Sequence, residues 1–178
     1  MSENLENSKI RMHKISEQDV KEYVCERFED VKSSNKMKNL VSFQAMNKYM
    51  IMSHDQEKLK TLGNIVASYN KKNFSEIITQ YEPNLNSALE KKPTIKTHSN
   101  VIMHIFGYFS KDFNRIEKEQ FFKMLEQFRN KKITIGQLLS EINPIIYRFN
   151  NTYLASQTYF LLYADPQPAN LFHILNHE

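Results

Sequence analysis

The chain has 178 residues and a mass of 21.2 kDa, which predicts one domain with a core large enough to fold without cross-links. Cys25 is its only cysteine, which excludes an internal disulfide and a cluster held by several thiolates of this chain. The net charge of +4 permits binding to nucleic acid or other anions without requiring it.

The sequence shows no targeting signal that would direct the protein out of the cytoplasm. The first eleven residues lack the apolar core of a secretory signal. No apolar run approaches the ~20 residues of a membrane span. A lone cysteine also fits a reducing compartment, so we expect a cytoplasmic protein that does not bind a membrane.

Long periodic segments with only three glycines and five prolines favour an all-α fold, a single-domain bundle of about six to eight helices. Residues 1–14 lack apolar periodicity and are predicted to be disordered, and residues 15–178 to form one helical domain. The periodicity predicts helices over residues 17–31, 38–52, 55–68, 74–90, 94–113, 116–130 and 135–150. A short helix and an extended element at residues 165–168 follow them.

Local signals mark several helix ends. Ser16 with Asp19 predicts a capping box for the first helix, and Ser53 with Gln56 predicts the N-cap of the third. Inside the predicted helices, Pro83 is expected to kink or split its helix, and Pro144 is expected to bend its helix. The lysine pairs at 71–72, 91–92 and 131–132 lie near predicted helix ends, where the helix dipole favours cations without any ligand.

The fifth predicted helix has the most informative pattern in the chain. Positions four apart lie nearly in line on a helix, so a polar stripe runs along one face. The opposite face is apolar, and His98 falls beside it. The members of the polar stripe are Lys96, Asn100, His104, Tyr108 and Asp112.

The two histidines of this helix suggest a metal site, but their spacing opposes it. His98 and His104 are six residues apart and therefore do not share a face, and no nearby carboxylate completes a zinc pattern. We expect no metal and no cofactor. His98 is interpreted either as a residue that satisfies a buried polar partner or as a general base.

Ser53 and His54 are neighbours, which alone does not make a catalytic dyad. Among the aromatic residues, Tyr108, Tyr153 and Tyr159 lie in the most polar company and are candidates for a ligand wall. Gln157 shares a helix face with Tyr153, or else ties down the tail. Phosphate-binding glycine loops and dinucleotide fingerprints are absent from the sequence.

Four ordered motifs resemble the YbgA-like family, a bacterial domain of unknown function. The resemblance covers about residues 40 to 172. Its motifs are Lys48–His54 with Leu62–Ala67, Lys92-Pro93 with His98–Val101, His104–Phe109, and Tyr153–Tyr159 with the proline pair at 166 and 168. One departure falls at residues 132–138, where the family usually has an apolar run that contains proline.

This resemblance implies a small cytoplasmic helical domain that occurs alone or joined to a domain resembling thiouracil desulfidases. A chain with one cysteine is not itself expected to be such a desulfidase, although a desulfidase-like protein is a conceivable partner. The resemblance also suggests a site formed by the polar residues of the shared motifs. These are Lys48, Ser53, His54, Lys92, His98, Asn100, His104, Tyr108, Tyr153 and Gln157.

Three hypotheses about function remain open at this stage. The leading one is a binding or accessory module for a small anionic or nucleobase-like molecule, with charge from Lys48 and Lys92 and a stacking wall from Tyr108. The second is an enzyme of unassigned class that uses His98 or His104 as a general base. The third is a nucleic-acid-binding protein, which requires the lysine pairs to converge on one face.

Overall fold

The computed structural model describes residues 15–166, and within them it contains ten α-helices, one short 3-10 helix and no strand. Eight of the helices have seven or more residues, so the all-α prediction is confirmed. The predicted disorder of residues 1–14 and the end of the tail, from 167 on, lie outside the described residues. The helices are α1 (Glu17–Ser34), α2 (Met37–Met46), α3 (Lys48–His54), α4 (Gln56–Ala67), α5 (Phe74–Leu89), α6 (Ile95–Phe106), α7 (Arg115–Arg129), α8 (Ile135–Arg148), α9 (Thr152–Ala155) and α10 (Thr158–Tyr163).

Most of the longer helices begin at a capping box, in which the N-cap side chain and the third helical residue satisfy each other's free amides. The predicted box of Ser16 with Asp19 is present at the start of α1. The helix α8 starts at Ile135, as predicted, despite the departure from the family pattern just before it. The other boxes open at Asn73, Thr94, Asn114 and Thr134.

The predicted helix over residues 38–52 is wrong in one respect, because it breaks at Asn47 into α2 and α3. Asn47 is buried, and its side-chain amide donates to the carbonyl of Phe43, one turn earlier. Such a bond from an amide side chain competes with the regular helix pattern. The break gives α3 its own direction, and all its residues after Lys48 are buried.

The predicted helix over residues 94–113 ends at Phe106, and turns follow it. The amides of Tyr108 and Phe109 bond to carbonyls three residues earlier, so the chain tightens after Gly107. Phe109 and Phe113 are nevertheless buried, as their place in the apolar pattern predicts. Tyr108 therefore follows the helix instead of continuing its polar stripe, and so does Asp112.

Neither proline splits its helix. The helix α5 continues past Pro83 to Leu89, and α8 continues past Pro144 to Arg148. Of the two outcomes expected at Pro83, a split helix is therefore wrong.

Two hydrophobic clusters form the core, and α3 lies between them. Tyr49 and Met52 of α3 belong to the cluster built by α6, α7 and α8, whereas Met50 and Ile51 belong to the one built by α1, α2, α4 and α5. A helix buried on all sides fits this central position. Within residues 15–166, no helix is long and apolar enough to cross a bilayer.

Candidate functional site

Most of the ten predicted site residues gather at the two ends of the buried helix α3. Ser53, His54 and His98 lie at its C-terminal end, and we call this group, with Tyr159, Tyr163 and Glu17, the imidazole cluster. The group at the N-terminal end is called the tyrosine cluster and consists of Lys48, Tyr49, Tyr108, Tyr153 and Gln157. The remaining three predicted residues belong to neither cluster: Lys92, Asn100 and His104.

In the imidazole cluster, His54 begins a chain of polar contacts that ends on α1. Its Nδ1 lies 2.6 Å from the carbonyl oxygen of Lys91, which can only accept, so this nitrogen carries the proton and donates. The Nε2 atom lies 3.2 Å from the hydroxyl of Tyr163, which donates to the carboxylate of Glu17 at 2.8 Å. The chain thus links residues from α3, α10 and α1.

His98 has a separate partner on the same side of α3. The hydroxyl of Tyr159 lies 2.7 Å from Nδ1 of His98, and both side chains are buried. The ring of His98 also meets the edge of the Tyr163 ring, with centroids 5.2 Å apart. The predicted inward orientation of His98 is therefore confirmed, whereas Tyr159 is too deeply buried to form the wall of an open ligand site.

Burial is the largest influence on the pKa of both imidazoles. It lowers the pKa of His98 from 6.5 to about 4, and the nearby charge of His54 acts in the same direction. Burial also lowers the pKa of His54, although the Lys91 carbonyl and the Glu17 carboxylate oppose this change. Both imidazoles are therefore neutral at pH 7, and at a pKa near 4 His98 is a weak base.

Ser53 does not cap α4, so that prediction is wrong. The helix α3 extends through His54, which places Ser53 inside it, and its hydroxyl donates to the carbonyl of Met50 at 2.7 Å. Asp55 is the N-cap instead: its carboxylate accepts from the amide of Lys58 at 3.1 Å. The same carboxylate pairs with the ammonium of Lys91 at 2.6 Å.

The tyrosine cluster brings three phenols and one ammonium together. The rings of Tyr108 and Tyr153 stack with centroids 6.1 Å apart, and the ammonium of Lys48 lies 5.5 Å from the ring centroid of Tyr49. Burial and a hydrogen bond with Tyr108 raise the pKa of Tyr49. Tyr108 is 42% exposed, so its ring reaches solvent while its hydroxyl meets the buried Tyr49.

Gln157 connects the tyrosine cluster to the break between α2 and α3. Its Nε2 donates to the carbonyl of Ala45 at 2.8 Å, and its Oε1 accepts from the amide of Tyr49 at 3.4 Å. A hydrogen bond from this side chain also lowers the pKa of Tyr153, although burial raises that pKa overall. The side chain of Gln157 is buried, and it forms hydrogen bonds both with a free amide at the start of α3 and with a phenol.

The three remaining candidates lie at the surface. Lys92 and His104 are exposed, and Asn100 donates from Nδ2 to Oε1 of Gln56 at 3.0 Å. Within residues 15–166, no group of three His, Cys, Asp or Glu side chains could hold a metal ion. The three lysine pairs follow the 3-10 helix, α5 and α7, at separate helix ends, as predicted.

Three cavities are described, and the predicted site residues line them only in part. A cavity of about 470 Å³ between α1, α2 and the start of α10 includes Gln157 in its wall. One of about 280 Å³ lies between α7 and α8 and contains no predicted site residue. A third of about 590 Å³ beside α6 includes Asn100. His54, His98 and His104 line none of the three.

Sequence reasoning missed three members of the two clusters. Tyr163 lies one turn after Tyr159, a spacing that could have shown that both share a face of α10. Tyr49 lies inside a family motif, but its position in the apolar pattern of residues 38–52 indicates only a core residue. Glu17 is separated from Tyr163 by 146 positions, and no local pattern in the sequence indicates their contact.

Comparison with known proteins supports the family resemblance that the sequence motifs indicate. Residues 48–164 match the family model described as "Protein of unknown function (DUF1722)". The chain is 25% identical over 135 residues to the protein named "Uncharacterized protein YbgA" of Escherichia coli (strain K12), a match covering 75% of this chain and 79% of that protein. No solved structure matches it. Because the family model covers more than half of the chain, this protein belongs to the YbgA-like DUF1722 family.

Proposed function

We propose that this chain is a ligand-binding module that holds a small anionic or nucleobase-like molecule at the tyrosine cluster. The observation that carries the proposal is the meeting of one ammonium, three phenols and one amide from three separate segments of the chain. Such a combination offers a stacking surface, a positive charge and hydrogen bonds within one site.

The accessible members of the cluster have complementary roles. The exposed ring of Tyr108 stacks on the ring of Tyr153 and offers a flat apolar surface to a base. Lys48 is half-buried, and its ammonium lies beside Tyr49, where it would attract a negative charge or a carbonyl oxygen. Stacking of a base on an aromatic side chain contributes about 1–3 kcal/mol.

An enzyme that uses a histidine as base has less support in this geometry. Neither His98 nor His104 lines a cavity described here, and the hydroxyl of Tyr159 already occupies Nδ1 of His98. Nucleic-acid binding and a desulfidase-like partner protein remain predictions from the sequence. The family resemblance to desulfidase-linked domains is the reason to include thiolated bases among the test compounds.

A thermal-shift screen of nucleobases, nucleotides and their thiolated analogues tests this proposal. A ligand at 100 times its dissociation constant stabilises the folded chain by about 2.7 kcal/mol. For a chain of this size, that corresponds to an increase in Tm of about 5–10 °C. The absence of any shift at millimolar concentrations of these compounds would contradict the proposal.

Two variants and two controls locate the binding site. Lys48→Gln and Tyr108→Leu are expected to remove most of the ligand-induced shift, because they remove the charge and the stacking surface. Lys92→Gln and Tyr147→Leu make the same chemical changes elsewhere, at an exposed lysine outside the clusters and at a tyrosine that is 74% exposed. Equal loss of the shift in variants and controls would mean that the ligand binds elsewhere.

A further inference from the structure

A second site is indicated by the cavity beside α6, away from both clusters. It has a volume of about 590 Å³ and lies where the first turns of α6 face the last residue of α7. Four of its lining residues are polar and two are apolar. They are Lys96, Ser99, Asn100 and Arg129, with Ile95 and Met103.

All four polar lining side chains can donate hydrogen bonds, and none is a carboxylate. Lys96 and Arg129 supply two positive charges, and neither forms an ion pair or hydrogen bond in the described part of the chain. Some other cations are neutralised by a carboxylate: Lys91 is paired with Asp55, and Arg148 is paired with a glutamate. The charge at this cavity is therefore not neutralised by residues 15–166.

Ser99 provides an independent observation. It is 5% exposed, and its hydroxyl is the one buried side-chain polar atom among residues 15–166 that has no hydrogen-bond partner. Buried polar groups are almost always paired, so an orphaned hydroxyl in the wall of a cavity points to a missing partner. Asn100 uses one amide proton for Gln56 and keeps the other for a second acceptor.

We infer that this cavity binds a phosphate group, held by Lys96, Arg129 and the hydroxyl of Ser99. A phosphate monoester carries about −1.5 to −2 charges at pH 7 and three acceptor oxygens. It therefore matches two unpaired cations and a set of donors better than a carboxylate, which has one charge. No lining residue belongs to the tyrosine cluster, so this inference does not depend on the proposed function.

An NMR titration of the full chain with sodium phosphate, against sodium chloride at equal ionic strength, tests the site. The expected result is a saturable shift of the amide signals of Ser99 and Asn100 that chloride does not produce. The double substitution Lys96→Gln with Arg129→Gln is expected to raise the dissociation constant at least about tenfold, because two charge-assisted contacts are lost. An affinity within about twofold of the unmodified chain would overturn the inference.

Two further variants distinguish a specific phosphate site from nonspecific electrostatic attraction to a basic protein. Lys60→Gln removes a positive charge from an exposed position of α4 and is expected to change the affinity less than about twofold. A tenfold loss in this control would overturn the inference. Ser99→Ala keeps both cations and is expected to weaken phosphate binding severalfold, and unchanged binding would contradict the role of the hydroxyl.

The source of the phosphate group is settled by a parallel titration with a nucleoside monophosphate. Tighter binding than inorganic phosphate, with shifts at the same amides, assigns the group to a nucleotide. Equal binding at these amides assigns it to free phosphate. Shifts confined to other parts of the chain in both titrations would overturn the inference.

Discussion

Acidification should destabilise this protein through His98, and the size of the effect follows from its surroundings. The imidazole is 7% exposed and is enclosed by the hydroxyl of Tyr159 and the rings of Tyr163 and Phe128. The other group whose charge affects its pKa is His54. Burial therefore lowers the pKa of His98 from 6.5 to about 4.

The sign and magnitude follow from proton linkage. Because the folded state binds this proton more weakly, the contribution of His98 to stability is complete above pH 6.5 and is lost as the pH falls towards 4. Each unit of pKa corresponds to about 1.36 kcal/mol, so the full loss is about 3 kcal/mol and the loss at pH 5 is about 2 kcal/mol. The lowered pKa of His54 adds to the loss in the same direction.

Urea unfolding at pH 7.5 and pH 5, on the unmodified chain and on His98→Gln, measures this contribution. The decrease in the free energy of unfolding is expected to be about 2 kcal/mol smaller in the variant, which has no titrating group at that position. An NMR titration of the imidazole gives the folded-state pKa directly. A measured pKa of about 6 or above would refute the reasoning, because it would mean that burial does not disfavour the charged ring.

Four further predictions concern single residues. Gly136→Ala should lower the free energy of unfolding by about 1 kcal/mol, since a Cβ atom there would lie 2.0 Å from Oδ1 of Asp165. Gly63→Ala should raise it by about 0.5–1 kcal/mol, because its nearest neighbour would be 4.0 Å away, and denaturant unfolding of both variants checks the opposite signs. Ser99→Ala should raise stability by about 1 kcal/mol in phosphate-free buffer, measured by the same unfolding, because it removes an unpaired buried hydroxyl. Asp55→Ala should cost about 1 kcal/mol through loss of the N-cap, whereas Asp55→Asn should keep the cap; equal costs in thermal unfolding would contradict this.

The sequence predicted the face of a helix on which a residue lies better than it predicted the contacts between residues of different helices. Within α6, the 3.6-residue period placed His98 beside the apolar face and His104 on the polar stripe opposite it; in the structure His98 is buried and His104 is exposed. The contact between Glu17 and Tyr163 was beyond this reasoning, because periodicity gives the relative angles of residues on one helix and not the helix that packs against them.

The break at Asn47 explains why the two clusters were not separated in advance. One straight helix over residues 38–52 would contain Lys48 and leave His54 in the junction before the next predicted helix. In the structure, α3 is a separate helix whose start contacts Tyr108, just after α6, and whose end faces His98 in α6. The local signal for the break, an amide side chain bonded to the preceding turn, depends on burial that the sequence does not reveal.

Because Gln157 holds the first turn of α3, the destabilising effect of replacing it should extend along that helix. Its buried side chain bonds to the carbonyl of Ala45 and to the buried amide of Tyr49, so Gln157→Ala removes two hydrogen bonds and leaves the Tyr49 amide unpaired, at a cost of about 1–3 kcal/mol. The helix has only seven residues, so loosening its first turn should also raise the hydrogen-exchange rate of the Ile51 and His54 amides. Thr158→Ala, a buried neighbour, is the control. Faster exchange confined to residues 45–49 would show that the two ends of α3 are held independently.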